Sequence, residues 1–305
     1  MLPLTADQAC SHDSHSARCG RTHLHPTGLR WKRATVGLAA FLLSCLLSAS
    51  AQAQTFISRI PDQAGTWAKY EGPHIEKTFR PKSEDGDLQL TWRCDLTIKA
   101  LDQEMAEYKG KQVPCRWLEF KVEFKSAQAQ AKEQDIQAAG FGTRLYKVLV
   151  PESAATERNR DALGLPVTYL PVVRGYRKIA DREPTPVQEK VLIVYPLIAM
   201  LTHYDNLKKD LEENVDLPQG MSVKARSYKG SRVLSNNTSR SSNEGTLWFS
   251  DETPFGLVKY SVKVQRFEKD ATDPIDAFQP STELTSELTL VGTGADAQSE
   301  LPDLK

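Results

Sequence analysis

Residues that commonly build catalytic and metal sites are scarce in this 305-residue chain, which has 5 cysteines and 6 histidines. Three of the cysteines and four of the histidines lie in residues 1–53. The remaining His74 and His203 are far apart and share no zinc-ligand spacing with Cys94 or Cys115. The chain also lacks a G-x-S-x-G elbow and a phosphate-binding glycine loop with a lysine. We therefore predict no catalytic, metal or cofactor-binding residues, and no cofactor.

An excess of one charge is also missing, since 39 basic residues balance 39 acidic ones. Residues 1–53 contain five of the basic and two of the acidic residues, so residues 54–305 carry 34 and 37 and a net charge of −3. Nucleic-acid binding needs a concentrated basic surface. We predict no nucleic-acid partner.

No apolar run reaches the roughly 20 residues that a membrane-spanning helix needs. The longest run, within Ala34–Ser50, follows the basic segment Arg30–Arg33 and precedes Ala51-Gln52-Ala53. A basic region, a short apolar region and a small-x-small site form a secretory signal peptide. We predict cleavage between Ala53 and Gln54, which leaves a periplasmic or secreted chain that does not span the membrane.

Two alternatives to this cleavage stay open. Leu42-Leu43-Ser44-Cys45 resembles a bacterial lipobox, which predicts a lipoprotein anchored through Cys45. The same apolar run could also remain as an uncleaved anchor.

Cleavage would leave two cysteines, Cys94 and Cys115, in an oxidising compartment. A disulfide between them is one expectation. The other is two separately packed thiols, because Cys94 shares the apolar parity of its strand whereas Cys115 lies opposite the parity of Leu118 and Phe120.

Strict alternation of apolar and polar residues dominates residues 54–305, which we expect to form a single β-rich domain. It predicts strands at Leu88–Ala100, Cys115–Phe124, Leu257–Phe267 and Leu284–Val291. The predicted fold class is mainly β, with α+β as the alternative: a curved antiparallel sheet or open barrel with a few short helices.

Other segments have weaker patterns. Residues 126–142 and 228–245 are polar and are predicted to be mobile. Val191–Tyr195 has strand composition, and Asn206–Asn214 is predicted to form a charged helical turn or two.

Trp117 lies opposite the apolar parity of its strand. It is either covered by a second layer or exposed on a ligand-binding surface.

Four segments resemble a group of uncharacterised exported proteins from planctomycete-type bacteria. They are Gly110–Glu119, Lys147–Glu152, Gly245–Lys259 and Gly292–Asp303. This resemblance implies export but no particular activity.

The hairpin in Gly245–Lys259, with its tryptophan strand and proline turn, is also similar to the curved sheets of LolA/LolB-like lipoprotein carriers. That resemblance implies a concave sheet face that holds acyl chains, and it assigns no contact residues. We expect a non-enzymatic envelope protein that binds an apolar or amphiphilic ligand, with lipid or an envelope protein as its partner. The alternatives are a structural or interaction protein without a pocket, and a hydrolase whose site assembles only in space.

The intact mass of the protein isolated from its host tests the predicted export. We expect a chain that starts at Gln54, because the small residues Ala51 and Ala53 precede that bond. A heavier species that starts at Cys45 and carries acyl chains would contradict this and establish a lipoprotein.

Overall fold

The computed structural model describes residues 56–126, 142–155, 170–197, 204 and 206–302. These residues form eleven strands, in several of which apolar and polar side chains alternate. The strands are β1 (Trp67–Thr78), β2 (Leu88–Tyr108), β3 (Lys111–Ser126), β4 (Arg144–Pro151), β5 (Arg174–Ile179), β6 (Thr185–Pro186), β7 (Lys208–Asp216), β8 (Ser222–Ser235), β9 (Ser239–Phe249), β10 (Leu257–Glu268) and β11 (Gln279–Gly294). Two short 3₁₀ turns lie at Glu152–Ala155 and Pro218–Gly220. The described residues contain no helix of seven residues or more.

All eleven strands belong to one antiparallel sheet in the order β6-β5-β4-β3-β2-β1-β11-β10-β9-β8-β7. The chain therefore forms two meanders that join where the first strand pairs with the last. The sheet curls without closing and leaves β6 and β7 as its edges. This confirms the predicted class, a mainly β protein with a curved, open antiparallel sheet.

The two faces of the sheet differ sharply. The inner face carries the large apolar core, and on β2 it consists of Trp92, Cys94, Leu96, Ile98 and Ala100, as the alternation predicts. Neighbouring strands add to the same cluster with Tyr70, Leu118, Phe120, Val122, Val148, Leu247, Tyr260, Val262, Leu288 and Leu290. The outer face of the central strands carries charged side chains.

Segments outside the sheet pack onto the inner face, and we call them the cover. Phe56 and Ile57 belong to the core cluster, and Phe56 meets the ring of Tyr260 edge-to-face at 5.4 Å between centroids. The other part of the cover is residues 170–173 and 187–197, on either side of β5 and β6, and it places Leu192, Val194 and Leu197 in the same cluster.

The centre of the sheet contains a close approach between β1 and β11. A Cβ atom added to Gly72 would lie 2.1 Å from the carbonyl oxygen of Glu287. Pro73 follows and has no N–H to donate to a neighbouring strand. The pair Gly72-Pro73 therefore lets the two strands approach more closely than side chains would allow.

Two polar segments form strands, although we predicted the first to be mobile and the second to form helical turns. Most of residues 228–245 belongs to the β8–β9 hairpin, whose turn is fixed by Asn236 Oδ1, which accepts the N–H groups of Thr238 and Ser239. Residues 208–216 form the edge strand β7 instead of helical turns. Backbone pairing stabilises both, although neither buries a full apolar face, so hydrophobic patterning missed them.

Two further predictions concern residues outside regular strands. Val191–Tyr195 is no strand and makes one isolated bridge, between Val191 and Pro171. Of the predicted mobile segment 126–142, residues 127–141 lie outside the described part.

Cys94 and Cys115 are both free and buried. Of the two alternatives, a disulfide or two separately packed thiols, the second is observed. Cys94 lies opposite Phe124 on β3, whereas Cys115 lies nine residues away along that strand, opposite Glu104. That separation is about 30 Å at the rise of a β-strand. A disulfide needs Cα atoms within about 7 Å, so the predicted bond is wrong for this fold.

Substituting Gly72→Ala should destabilise the protein by about 1–3 kcal/mol, because the new methyl group would push β1 away from β11. Gly292→Ala is the matched control on β11, since its added Cβ would meet the Trp67 ring at 3.6 Å, an ordinary contact. Urea unfolding of both variants measures the difference. Equal stability of the two would contradict the close approach.

Candidate functional site

One row of residues crosses the inner face of six neighbouring strands. Its members lie directly opposite one another, from β2 through β1, β11, β10 and β9 to β8; they are Trp92, His74, Ser286, Val262, Gly245 and Gly230. We call this set the inner row. It brings polar side chains into a face that is otherwise apolar.

Tyr204 lies against the glycine end of the inner row. A Cβ atom on Gly245 would lie 2.2 Å from Tyr204 Oη, and one on Gly230 would lie 2.7 Å from Tyr204 Cβ. Both glycines therefore make room for the tyrosine. Burial raises the pKa of Tyr204 well above its usual value, so the hydroxyl is neutral.

Among the described residues, three hydroxyl groups at this face are buried and make no hydrogen bond. They belong to Ser286 in the inner row, to Tyr204 and to Thr282, which lies on the same face of β11. Ser286 is 0% exposed and Tyr204 is 3% exposed. A buried hydroxyl without a partner costs about 1–3 kcal/mol, so each one calls for an explanation.

His74 occupies the centre of the inner row between Trp92 and Ser286. Its ring meets that of Phe124 edge-to-face at 5.2 Å between centroids. Burial lowers the pKa of His74 to about 4, so the imidazole is uncharged at neutral pH.

The register thus places a serine opposite a histidine, which the hydrolase alternative requires. Ser286 Oγ makes no hydrogen bond, however, so the contact that would activate it is missing. A histidine with a pKa of about 4 is also a weak general base at neutral pH.

A second feature lies on the outer face, where a buried carboxylate binds the C-terminal segment. Glu119 is 0% exposed and lies between Lys99 on β2 and Lys147 on β4. It accepts hydrogen bonds from Lys99 Nζ at 2.8 Å, from Ser299 Oγ at 2.7 Å and from the N–H of Glu300 at 3.0 Å.

Glu300, in the C-terminal segment that Glu119 binds, also takes part in this hydrogen-bond network. Its carboxylate pairs with Lys99 Nζ at 2.7 Å and with Lys121 Nζ at 2.9 Å. Desolvation alone would raise the pKa of Glu300, but the two lysines hold it below its usual value. The segment 299–301 is thus fixed to the sheet by paired charges.

Trp117 lies on the outer face in a small separate cluster with Cys115 and Leu149. Its indole N–H donates to Glu104 Oε2 at 3.0 Å. Arg174 and Lys147 lie over the ring at 5.4 and 5.5 Å from its centroid. The tryptophan lines a groove of about 260 Å³ together with Asp102, Gln103, Glu104, Lys147, Arg174, Tyr176 and Pro302. The Trp117 side chain is therefore partly exposed, and it contacts charged groups of the same protein.

The remaining predicted site residues cannot be placed. Ala51, Ala53 and Gln54 of the cleavage site, Cys45 and His203 all lie outside the described residues. Ser286 and Tyr204 were missed by the sequence analysis. The only signal for Ser286 is a hydroxyl residue on the apolar parity of β11, between Leu284 and Leu288.

Within the described ranges, no group of three or more His, Cys, Asp or Glu residues could hold a metal ion. In the same part of the chain, no helix is both long enough and apolar enough to cross a bilayer.

No protein-family model matches the chain, and no curated protein is significantly similar to it.

Substituting Glu119→Gln should destabilise the protein by about 1–3 kcal/mol, because it removes a buried charge that pairs with Lys99 and weakens the hydrogen bonds from Ser299 and Glu300, while Lys99 keeps its pair with Glu300. It should also release the segment 299–301, which proteolysis or hydrogen exchange would detect. Glu123→Gln is the control on the same face of β3, where Glu123 makes only a half-exposed pair with Lys121 at 3.5 Å. An equal, small effect of both substitutions would show that Glu119 does not hold the segment.

Proposed function

We propose that this protein is an exported, non-enzymatic binding protein that holds an apolar or amphiphilic molecule against the inner face of its sheet. The observation that most supports this proposal is a single apolar face that extends from β4 to β8 and is covered by segments outside the sheet. Export is the expectation from the signal-peptide pattern that ends at Ala53.

The way in which the cover is attached supports the proposal. Among the described residues, the backbone hydrogen bonds that tie it to the sheet and its turns include Ser58 N–H to Phe255 O at 2.9 Å, Val173 N–H to Leu149 O at 2.9 Å and Val187 N–H to Gly175 O at 2.8 Å. The Arg59 side chain also donates to the carbonyl oxygens of Thr253 and Pro254, and Tyr195 N–H donates to Tyr146 Oη at 3.4 Å. Tyr260 Oη adds a side-chain bond to Leu197 O at 2.9 Å. Side-chain packing supplies the rest, and hydrophobic contact is non-directional. An apolar ligand can therefore replace the cover's contacts without breaking the sheet.

The charge distribution also supports binding of an apolar molecule at the inner face. Buried ion pairs such as Lys99–Glu119 lie on the outer face and are already bound to the chain's own C-terminal segment. The grooves lined by described residues at the outer face and at the β7–β8 edge are polar. Among the described residues, the inner face is the extended apolar surface that complements an apolar ligand.

The alternative is a structural or interaction protein of the cell envelope without a small-molecule site. The cover favours it in one respect, because Phe56, Ile57, Leu192, Val194 and Leu197 already fill part of the inner face. The two proposals differ in whether a ligand can displace the cover from the inner face.

Binding of the neutral dye Nile red, together with organic extraction of protein purified without detergent, tests the proposal. We expect the extract to contain an apolar or amphiphilic compound in near-stoichiometric amount. The dye should bind with a blue-shifted emission and be displaced by that compound. An empty extract and no dye binding would favour the interaction protein.

A variant pair locates the binding surface. Val262→Phe adds bulk to the inner face, where Val262 is 1% exposed, and should weaken dye binding about tenfold or more. Val233→Phe makes the same change at a residue that is 61% exposed on β8 and should leave binding unchanged. Circular dichroism must show that both variants fold, and equal dye affinity in both would place the dye elsewhere.

A further inference from the structure

We infer that the molecule bound at the inner face carries uncharged polar groups, hydroxyls or ester or amide carbonyls, which hydrogen-bond with Ser286 and with Tyr204. This inference rests on the proposed function and specifies the class of ligand. It makes the inner row the polar end of an otherwise apolar site.

The first argument is that these hydroxyls are unsatisfied. Ser286 Oγ and Tyr204 Oη are buried without a hydrogen-bond partner, and Thr282 Oγ1 shares this state further along β11. Nearly all buried polar groups in folded proteins have a partner in the protein, in water or in a ligand. Three such groups on one face indicate that the face binds something polar.

The second argument is their arrangement. Ser286 lies in the inner row on β11, and Tyr204 lies against Gly245 of the same row on β9, with Val262 of β10 between them. Two strand spacings amount to about 10 Å. A ligand that lies across Val262 therefore has apolar surface beneath it and a hydroxyl on either side.

The third argument concerns charge. The inner row contains no lysine, arginine, aspartate or glutamate. His74, its one titratable member, is uncharged at neutral pH because burial lowers its pKa to about 4. A buried carboxylate or phosphate without an opposite charge costs several kcal/mol. The row therefore favours a neutral group over a fatty-acid carboxylate or a phospholipid phosphate.

Competition against bound Nile red by three probes of equal chain length tests this inference: hexadecanol, palmitate and hexadecane. We expect hexadecanol to bind about five- to tenfold more tightly than hexadecane, which corresponds to one net hydrogen bond of about 1 kcal/mol, and to exceed palmitate by a larger factor because of the carboxylate's charge. Ser286→Ala should remove most of that preference and leave hexadecane affinity unchanged.

Two controls separate a binding role from a structural one. Ser261→Ala removes a hydroxyl from the half-buried outer side of β10, next to Val262, and should leave the preference for the alcohol intact. Ser286→Ala should unfold at the same or a higher urea concentration than the wild type, because it removes an unsatisfied group. A large loss of stability would show that Ser286 bonds within the protein and would overturn the inference.

The outcomes also separate the inference from the proposed function. Equal binding of all three probes, or tighter binding of palmitate, would overturn the neutral-group inference and leave the apolar site in place. Failure of all three to bind or displace the dye would overturn both.

Discussion

The pairing of β1 with β11 is the interaction on which the rest of this structure depends. It joins two meanders, β1–β6 and β7–β11, into one sheet through paired residues such as Thr78 and Thr282, which lie 204 residues apart in sequence. Without it each meander would expose an unpaired central strand and half of an apolar face. Gly72 lies at this junction, so a close backbone approach coincides with the pairing of strands most distant in sequence. Contacts of such separation carry a high entropic cost before they stabilise anything.

The C-terminal segment reinforces that junction from the outer face. Ala297 N–H donates to Gly65 O, and Trp67 Nε1 donates to Asp296 Oδ1, which ties the segment to the residues around the start of β1. Further along, Glu119 binds Ser299 and Glu300 across β3. A buried carboxylate is tolerated here because one lysine, one hydroxyl and two backbone N–H groups satisfy it. The outer face thus satisfies its buried polar groups internally, whereas the inner face leaves three hydroxyls without a bond.

The sequence predicts the parts of this fold in which burial is one-sided. β2, β3 and β10 each have an apolar face, and β11 has one that Ser286 interrupts; period-two alternation identifies all four strands. β7 is almost wholly exposed, and the far end of the β8–β9 hairpin extends beyond the core, so neither has a hydrophobic signal. The order of the strands was beyond prediction for a different reason, because the β1–β11 pairing is set by long-range packing and not by any local motif. The inner row could not be predicted either, since it exists only once six strands are in register.

The contrast between the faces bears on how a ligand could enter. The outer face binds its C-terminal segment through directional ion pairs and hydrogen bonds, which are lost abruptly when either partner moves. The cover binds the inner face mostly through apolar contacts, such as those of Phe56 with Tyr260, which a ligand can replace in kind. A ligand that also satisfies Ser286 and Tyr204 would remove a cost that the cover leaves in place. The exchange of cover for ligand would then be favoured by the polar groups even where the apolar areas are equal.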